Sequence, residues 1–210
     1  WILEDPMKNL ILFFALVCVV NLSFSQSEKG IGFRAGANIS TLTNSELEAK
    51  TNLYLGLFYQ VRFSELYALQ PELGYSNQGG KTNDNHTVYI EYITLGATNK
   101  FFLAPAQGLY LSITPGFDID IDDTFFNISN SDDDLFDGND ATFIDFSLSF
   151  GLGFELKNGL SFDARYKQGF IDVYSEAFHN FDSELYETKN QFNAVFQIGV
   201  AYKFNLTKNK

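Results

Sequence analysis

Cysteine is almost absent from this chain, which contains a single cysteine, Cys18, among 210 residues. An internal disulfide framework is therefore excluded. Histidine is limited to His86 and His179, and there is one tryptophan. Basic side chains number only 14 against 26 acidic ones, giving a net charge of -12. This balance argues against nucleic acid as a partner, because phosphate binding needs clustered lysine and arginine.

Long apolar runs are also scarce. The main one, Leu10 to Val20, follows a short cationic start and precedes small residues, so residues 7–25 are predicted to be a secretory signal peptide. Residues 1–6 come before Met7 and are interpreted as a non-native or mis-assigned start. After Gln26 no stretch approaches the ~18 continuous apolar residues of a membrane helix. An exported protein without such a helix is either a soluble β-protein or an outer-membrane barrel.

Aromatic residues are abundant, with 23 Phe and 11 Tyr, and they favour strands and membrane interfaces. In the segment 142–156, "TFIDFSLSFGLGFEL", large apolar residues alternate with small or polar ones. A period of two predicts a strand with two unlike faces. The same alternation predicts eight strands, at residues 30–40, 52–63, 67–76, 88–102, 109–120, 142–156, 160–170 and 192–204.

The connections between these strands alternate in length. The even-numbered ones are short, whereas the odd-numbered ones are long and polar, at roughly 41–50, 77–87, 121–141 and 172–190. Transmembrane barrels have short turns at one end and long loops at the other. Pro71 and Pro115 lie within strands, and each removes a backbone donor, so a bulge or a break in pairing is expected there.

The second face of most strands carries Gly, Ser, Thr and Asn with isolated charges, as suits a crowded barrel interior. The apolar face should then contact lipid, because soluble proteins rarely expose so large an apolar surface to water. On the strand at 142–156 this face consists of Ile144, Phe146, Leu148, Phe150 and Leu152. The fold class is therefore predicted as an all-β, eight-stranded antiparallel up-and-down transmembrane β-barrel. The alternative is a soluble lipocalin-like calyx or a β-sandwich, with the apolar face inside.

Charged residues on the small-polar face are predicted to lie inside the barrel, and Arg165 is predicted to pair with Glu72. A structural plug is favoured over a transport path, because eight strands leave little room for a pore. The predicted interior set is Arg34, Gln70, Glu72, Asp163, Arg165, Lys167, Gln197 and Lys203, with Glu91 as a further candidate.

The fifth connection is the strongest local signal for a ligand. Its carboxylates would suit Ca²⁺ or Mg²⁺ if they converged; the favoured interpretation is a solvated acidic loop. His86 and His179 fall in other predicted loops without a nucleophile motif, so no catalytic, cofactor or metal residue is assigned. The acidic residues are Asp118, Asp120, Asp122, Asp123, Asp132, Asp133, Asp134, Asp137, Asp140 and Asp145.

Four stretches resemble the PorT-like outer-membrane β-barrel family of Bacteroidetes. They are "FRAGANIS" (33–40), "LQPELGYSNQGG" (69–80), "GLSFDARYKQGF" (159–170) and "IGVAYKF" (198–204). The resemblance extends over most of the chain from about residue 30 to 206. It implies the barrel fold and an outer-membrane location, and the founding member of the family is linked to protein secretion and maturation.

The sequence thus predicts a barrel domain over residues 26–206 and a short tail at 207–210. The predicted function is a non-enzymatic outer-membrane barrel with a structural or binding role through acidic extracellular loops. Its expected partners are the lipid bilayer, an unidentified extracellular or periplasmic protein and, weakly, Ca²⁺ or Mg²⁺ at the acidic loop. Two alternatives stay open: a soluble exported carrier of an apolar ligand, and an outer-membrane enzyme or secretion-associated component.

Overall fold

The computed structural model describes residues 28–45, 47–81, 87–121, 141–174 and 190–206. Eight antiparallel strands pair in sequence order, and β1 pairs with β8 to close a barrel. None of the described residues builds a helix long and apolar enough to cross a membrane. The strands are β1 (Glu28–Leu42), β2 (Lys50–Arg62), β3 (Tyr67–Lys81), β4 (Thr87–Ala104), β5 (Leu109–Asp120), β6 (Ile144–Glu155), β7 (Leu160–Gly169) and β8 (Asn193–Asn205).

The two faces of the strands point as predicted. On β6, Phe150 is 54% exposed on the outside of the barrel, whereas its neighbour Ser149 is 6% exposed on the inside. Leu57 on β2 is 62% exposed. The soluble calyx and sandwich alternatives are therefore wrong, because both need the large apolar face inside.

Aromatic side chains cluster on the outside near both ends of the barrel. At one end, the ring of Tyr202 lies 6.3 Å from that of Phe33 and 4.9 Å from that of Phe204. At the other end, the ring of Phe146 lies 5.5 Å from that of Phe117 and 5.9 Å from that of Phe170. Two aromatic bands around an apolar wall are typical of transmembrane barrels.

Short and long connections segregate to opposite ends. Residues 63–66, 105–108 and 156–159 form the short-turn end, and residues 43–49, 82–86, 121–143 and 170–192 join strands at the long-connection end. The third connection is shorter than predicted, because β3 and β4 pair as far as Lys81 and Thr87. Gly108 (φ 84°) and Gly159 (φ 91°) each adopt a left-handed conformation in a short turn, one that glycine takes without strain.

Both mid-strand prolines interrupt pairing without shifting the register. Pairing between β2 and β3 stops after Phe58–Glu72 and resumes at Val61–Leu69, beside Pro71. Opposite Pro115, β4 and β5 are unpaired between Gly96–Gly116 and Asn99–Ile113. The expected break is thus observed at both prolines. The pairing of β4 with β5 does contain a register shift, but it lies away from Pro115, between Phe102 and Ala104.

The lost bond at Pro115 is replaced by a side chain. Pro115 has no N–H to donate to the carbonyl of Ala97, and the Asn99 Nδ2 group donates to that carbonyl oxygen instead, at 2.9 Å. The same amide reaches the Ile113 carbonyl oxygen at 3.3 Å, and Tyr67 donates its hydroxyl to Asn99 Oδ1 at 2.8 Å. An asparagine on the apolar wall is explained by this role, since an unpaired carbonyl there would have no water.

Inward-facing glycines leave space for large side chains in the interior. A Cβ at Gly153 would lie 2.3 Å from the Tyr110 ring, and one at Gly32 would lie 2.3 Å from the Phe58 ring. At the long-connection end the interior becomes apolar, where Leu42, Ile90 and Val173 pack together. A smaller apolar cluster of Ala68, Phe102 and Tyr110 lies nearer the short turns, and buried polar groups occupy most of the remaining interior.

Candidate functional site

The middle of the barrel holds four buried charges from three strands. Arg165 on β7 donates from Nη1 to Glu72 Oε2 at 2.9 Å and from Nη2 to Glu72 Oε1 at 3.1 Å. Its Nε lies 3.0 Å from Asp163 Oδ1, an oxygen that also lies 2.6 Å from Arg34 Nη2. Two cations thus face two carboxylates, as buried charges require. We call Arg34, Glu72, Asp163 and Arg165 the central layer.

Neutral polar groups complete the central layer. The Glu72 carboxylate accepts from Gln70 Nε2 at 2.7 Å and from the Thr98 hydroxyl at 2.6 Å. Gln197 Nε2 donates to Asn38 Oδ1 at 2.9 Å. The central layer is therefore a structural network, because each charged side chain lies next to one of opposite charge.

The predicted interior set is confirmed with one exception. Arg165 pairs with Glu72 as predicted, and all eight residues of the set are buried in the barrel. Glu91 is the exception: it lies on the outside of β4, where it accepts from the Tyr75 hydroxyl and from Asn77 Nδ2. Its neighbour Tyr92 is the buried residue, so strand alternation places Glu91 outward.

A second group of charges lies towards the short-turn end. Lys203 Nζ donates to Glu155 Oε1 at 2.5 Å, and Lys100 Nζ donates to Glu155 Oε2 at 3.3 Å. Gln60 accepts from Lys100 at 2.9 Å and donates to Glu155 at 3.3 Å. Lys100 was not among the predicted interior residues, because β4 carries apolar residues on both faces. Its spacing from the inward-facing Thr98 was the available signal.

A third group corrects the interpretation of the acidic segment. Asp118, Asp120 and Asp145 are buried inside the barrel rather than exposed in a loop. The Asp118 carboxylate pairs with Lys167 Nζ at 2.5 Å. Asp145 Oδ1 accepts from the backbone N–H of Ile171 at 2.9 Å. These positions follow from strand alternation, because all three residues lie in the predicted strands 109–120 and 142–156, on the face opposite the large apolar residues.

The other predicted loop features lie outside the described residues. They are His86, His179 and the acidic residues from Asp122 to Asp140. Within the described ranges, no group of three or more His, Cys, Asp or Glu side chains is arranged to hold a metal ion.

Little free space remains between the charged layers. A cavity lined by Tyr54, Glu72, Asp118, Arg165 and Lys167 measures about 30 Å³. That leaves room for only a few water molecules. The polar interior therefore acts as packing for a narrow barrel.

Comparison with known proteins identifies the family of this chain. Residues 10–204 match the family model of the outer membrane protein beta-barrel domain. None of the curated proteins matches the chain. Among solved structures, neisserial surface protein A is 10% identical over 86% of this chain and 100% of its own, with a TM-score of 0.47. Ail from Yersinia pestis in a phospholipid nanodisc is 14% identical over 85% of this chain and 100% of its own, with a TM-score of 0.47. By the family match, this chain belongs to the outer membrane protein beta-barrel domain family and is a barrel of the outer membrane.

Proposed function

We propose that this protein is a non-enzymatic surface barrel, whose long acidic connections bind a partner outside the cell while the barrel anchors them. The observation that carries the proposal is the filled interior, in which ion pairs leave a central cavity of only about 30 Å³. Conduction needs a continuous wide path. A barrel packed in this way is suited to presenting loops.

The orientation follows from export. In this proposal residues 7–25 serve as the signal peptide, residues 26–206 as the barrel domain and residues 207–210 as a short tail. Since β1 begins at the short-turn end, that end faces the periplasm, and the long connections face outward. The carboxylates between Asp122 and Asp140 should lie outside the hydrocarbon region of the bilayer, because a charge inside that region is costly.

The finer classification is the PorT-like group of Bacteroidetes barrels. It is supported by the stretches at 69–80 and 159–170, which contribute Glu72, Asp163 and Arg165 to the central layer. The proposed partner is an extracellular protein, and divalent cations bind weakly to the acidic loop.

Protease accessibility in intact cells tests the orientation. One variant carries a specific protease site after Gly138, and a matched control carries the same site after Asn158 in a short turn. We expect external protease to cut the first variant in intact cells and the second only after the outer membrane is permeabilised. Cleavage of the second alone would show that the barrel is inverted.

A second measurement tests the loop as a binding element. Deleting residues 125–138 should leave the heat-dependent gel mobility of a folded barrel unchanged and abolish binding of the extracellular partner to whole cells. Unchanged binding would refute the role of this loop. Repeating the Gly138 cleavage with added Ca²⁺ or Mg²⁺ tests the cation proposal, since bound ions should slow cutting; an unchanged rate would refute it.

A further inference from the structure

A cavity of about 670 Å³ opens at the short-turn end of the barrel. Its lining includes four basic side chains but only two acidic ones: Lys29, Arg62, Lys157 and Lys203 against Glu28 and Glu155. This excess is opposite in sign to the net charge of -12 for the whole chain. The cavity therefore concentrates positive charge at one end of an acidic protein.

A buried charged group lies behind the inner wall of the cavity. Two ammonium groups, on Lys100 and Lys203, share the single carboxylate of Glu155, at 3.3 and 2.5 Å. All three side chains are at most 9% exposed. The central layer, by contrast, balances two cations with two carboxylates. This group thus contains one more basic side chain than acidic ones, which favours an anion that binds beside it.

Arg62 adds a directed donor at the rim. Its guanidinium carbon lies 3.9 Å from the centre of the Phe102 ring. Nε and Nη2 are fixed by the carbonyl oxygens of Ser64 and Glu65, at 3.3 and 2.8 Å. Within the described ranges no acceptor is seen for Nη1. A guanidinium held in this way is preorganised to donate to an oxyanion.

The short turns hold the cavity wall in place. The Gly108 carbonyl accepts from the Glu155 N–H at 2.9 Å, and the Gly159 carbonyl accepts from the Lys203 N–H at 2.9 Å. A Cβ at Gly159 would lie 2.2 Å from the Lys203 carbonyl oxygen. Glu155 and Lys203 are therefore positioned by backbone contacts that a side chain in the turn would disrupt.

We propose that this cavity is an oxyanion site, which takes a phosphate group entering from the short-turn end. Lys203 and Arg62 are the proposed binding side chains, and Glu155 limits the affinity by competing for Lys203. The phosphate could come from free phosphate or from the head group of an anionic phospholipid, and the two sources are separable by experiment.

Titration calorimetry of the full processed barrel in zwitterionic detergent, at constant ionic strength, tests the site with inorganic phosphate. We expect one phosphate per barrel. Arg62→Gln should weaken binding about tenfold, because one charge-assisted hydrogen bond is lost. Glu155→Gln should tighten binding several-fold, because a competing negative charge is removed. Lys81→Gln, at the opposite end, is the matched control and should leave binding unchanged.

In the second arm of the experiment, phosphatidylglycerol vesicles replace inorganic phosphate. If Arg62→Gln does not show the gel mobility of a folded barrel, Lys157→Gln at the rim is used as a further variant. Saturation by free phosphate identifies a soluble ligand, and saturation by the vesicles alone identifies a head group. Absence of binding in both arms up to about 10 mM would overturn the proposal. The proposal would also be overturned if Lys81→Gln weakened phosphate binding as much as Arg62→Gln, or if a folded Glu155→Gln variant did not bind phosphate more tightly.

Discussion

Replacing Arg165 with alanine should lower the free energy of unfolding by about 3–5 kcal/mol, the usual effect of removing one partner of a buried ion pair. Glu72 would lose both of its hydrogen bonds from the guanidinium, at 2.9 and 3.1 Å. It would keep only neutral donors: Gln70, Thr98 and, at 3.5 Å, the Tyr54 hydroxyl. Asp163 is less affected, because it keeps Arg34 at 2.6 Å. Most of the loss therefore comes from the isolated charge on Glu72.

The assay is reversible denaturant unfolding in lipid or detergent, followed by the fraction of protein that keeps the gel mobility of the folded barrel. Lys157→Ala is the matched control, since this exposed side chain should change stability by no more than about 0.5 kcal/mol. Arg165→Met combined with Glu72→Gln removes both charges and should recover much of the stability that Arg165→Ala loses.

The double variant tests whether the loss of stability in Arg165→Ala comes from the unpaired charge on Glu72. If the losses from Arg165→Met and Glu72→Gln simply add, the two side chains are not energetically coupled. A loss below about 1 kcal/mol for Arg165→Ala, as in an exposed ion pair, would also refute the argument. Either result would mean that water reaches the central layer in the folded barrel.

Two further predictions use the same unfolding assay. Leu148→Arg should lower the free energy of unfolding by about 2–4 kcal/mol if Leu148 lies at the bilayer midplane. This loss of stability should largely disappear in detergent micelles that are thin enough to admit water. The loss from Ser147→Arg, which places the charge inside the barrel, should persist in those micelles. Asn99→Ala should lower the free energy of unfolding by about 1–3 kcal/mol, because it leaves the Ala97 carbonyl unpaired. In a Pro115→Ala background the loss of stability should be smaller, because the backbone donor at residue 115 is restored. An equal loss in both backgrounds would contradict this explanation.

Strand order and orientation were predictable wherever the two faces differ in chemistry. On β6 the outward residues are large and apolar and the inward ones small or polar, so alternation alone separates them. β4 is different, because its inward face includes Tyr92 and Phe102. These rings fit where the barrel interior becomes apolar near its ends. The apolar residues on both faces explain why Glu91 was a candidate for the wrong side and why Lys100 was missed.

The Arg165–Glu72 pair was predictable because a buried charge needs a partner and the barrel interior offers few. The role of Asn99 was not, because it depends on register. Only the alignment of Asn99 with Ile113 places Pro115 beside Ala97, and only that position leaves a carbonyl within 2.9 Å of the Asn99 amide. Alternation determines which face a residue occupies, but not its neighbour on the next strand. A polar residue on an apolar wall thus identifies a backbone defect only after the pairing of two strands is known.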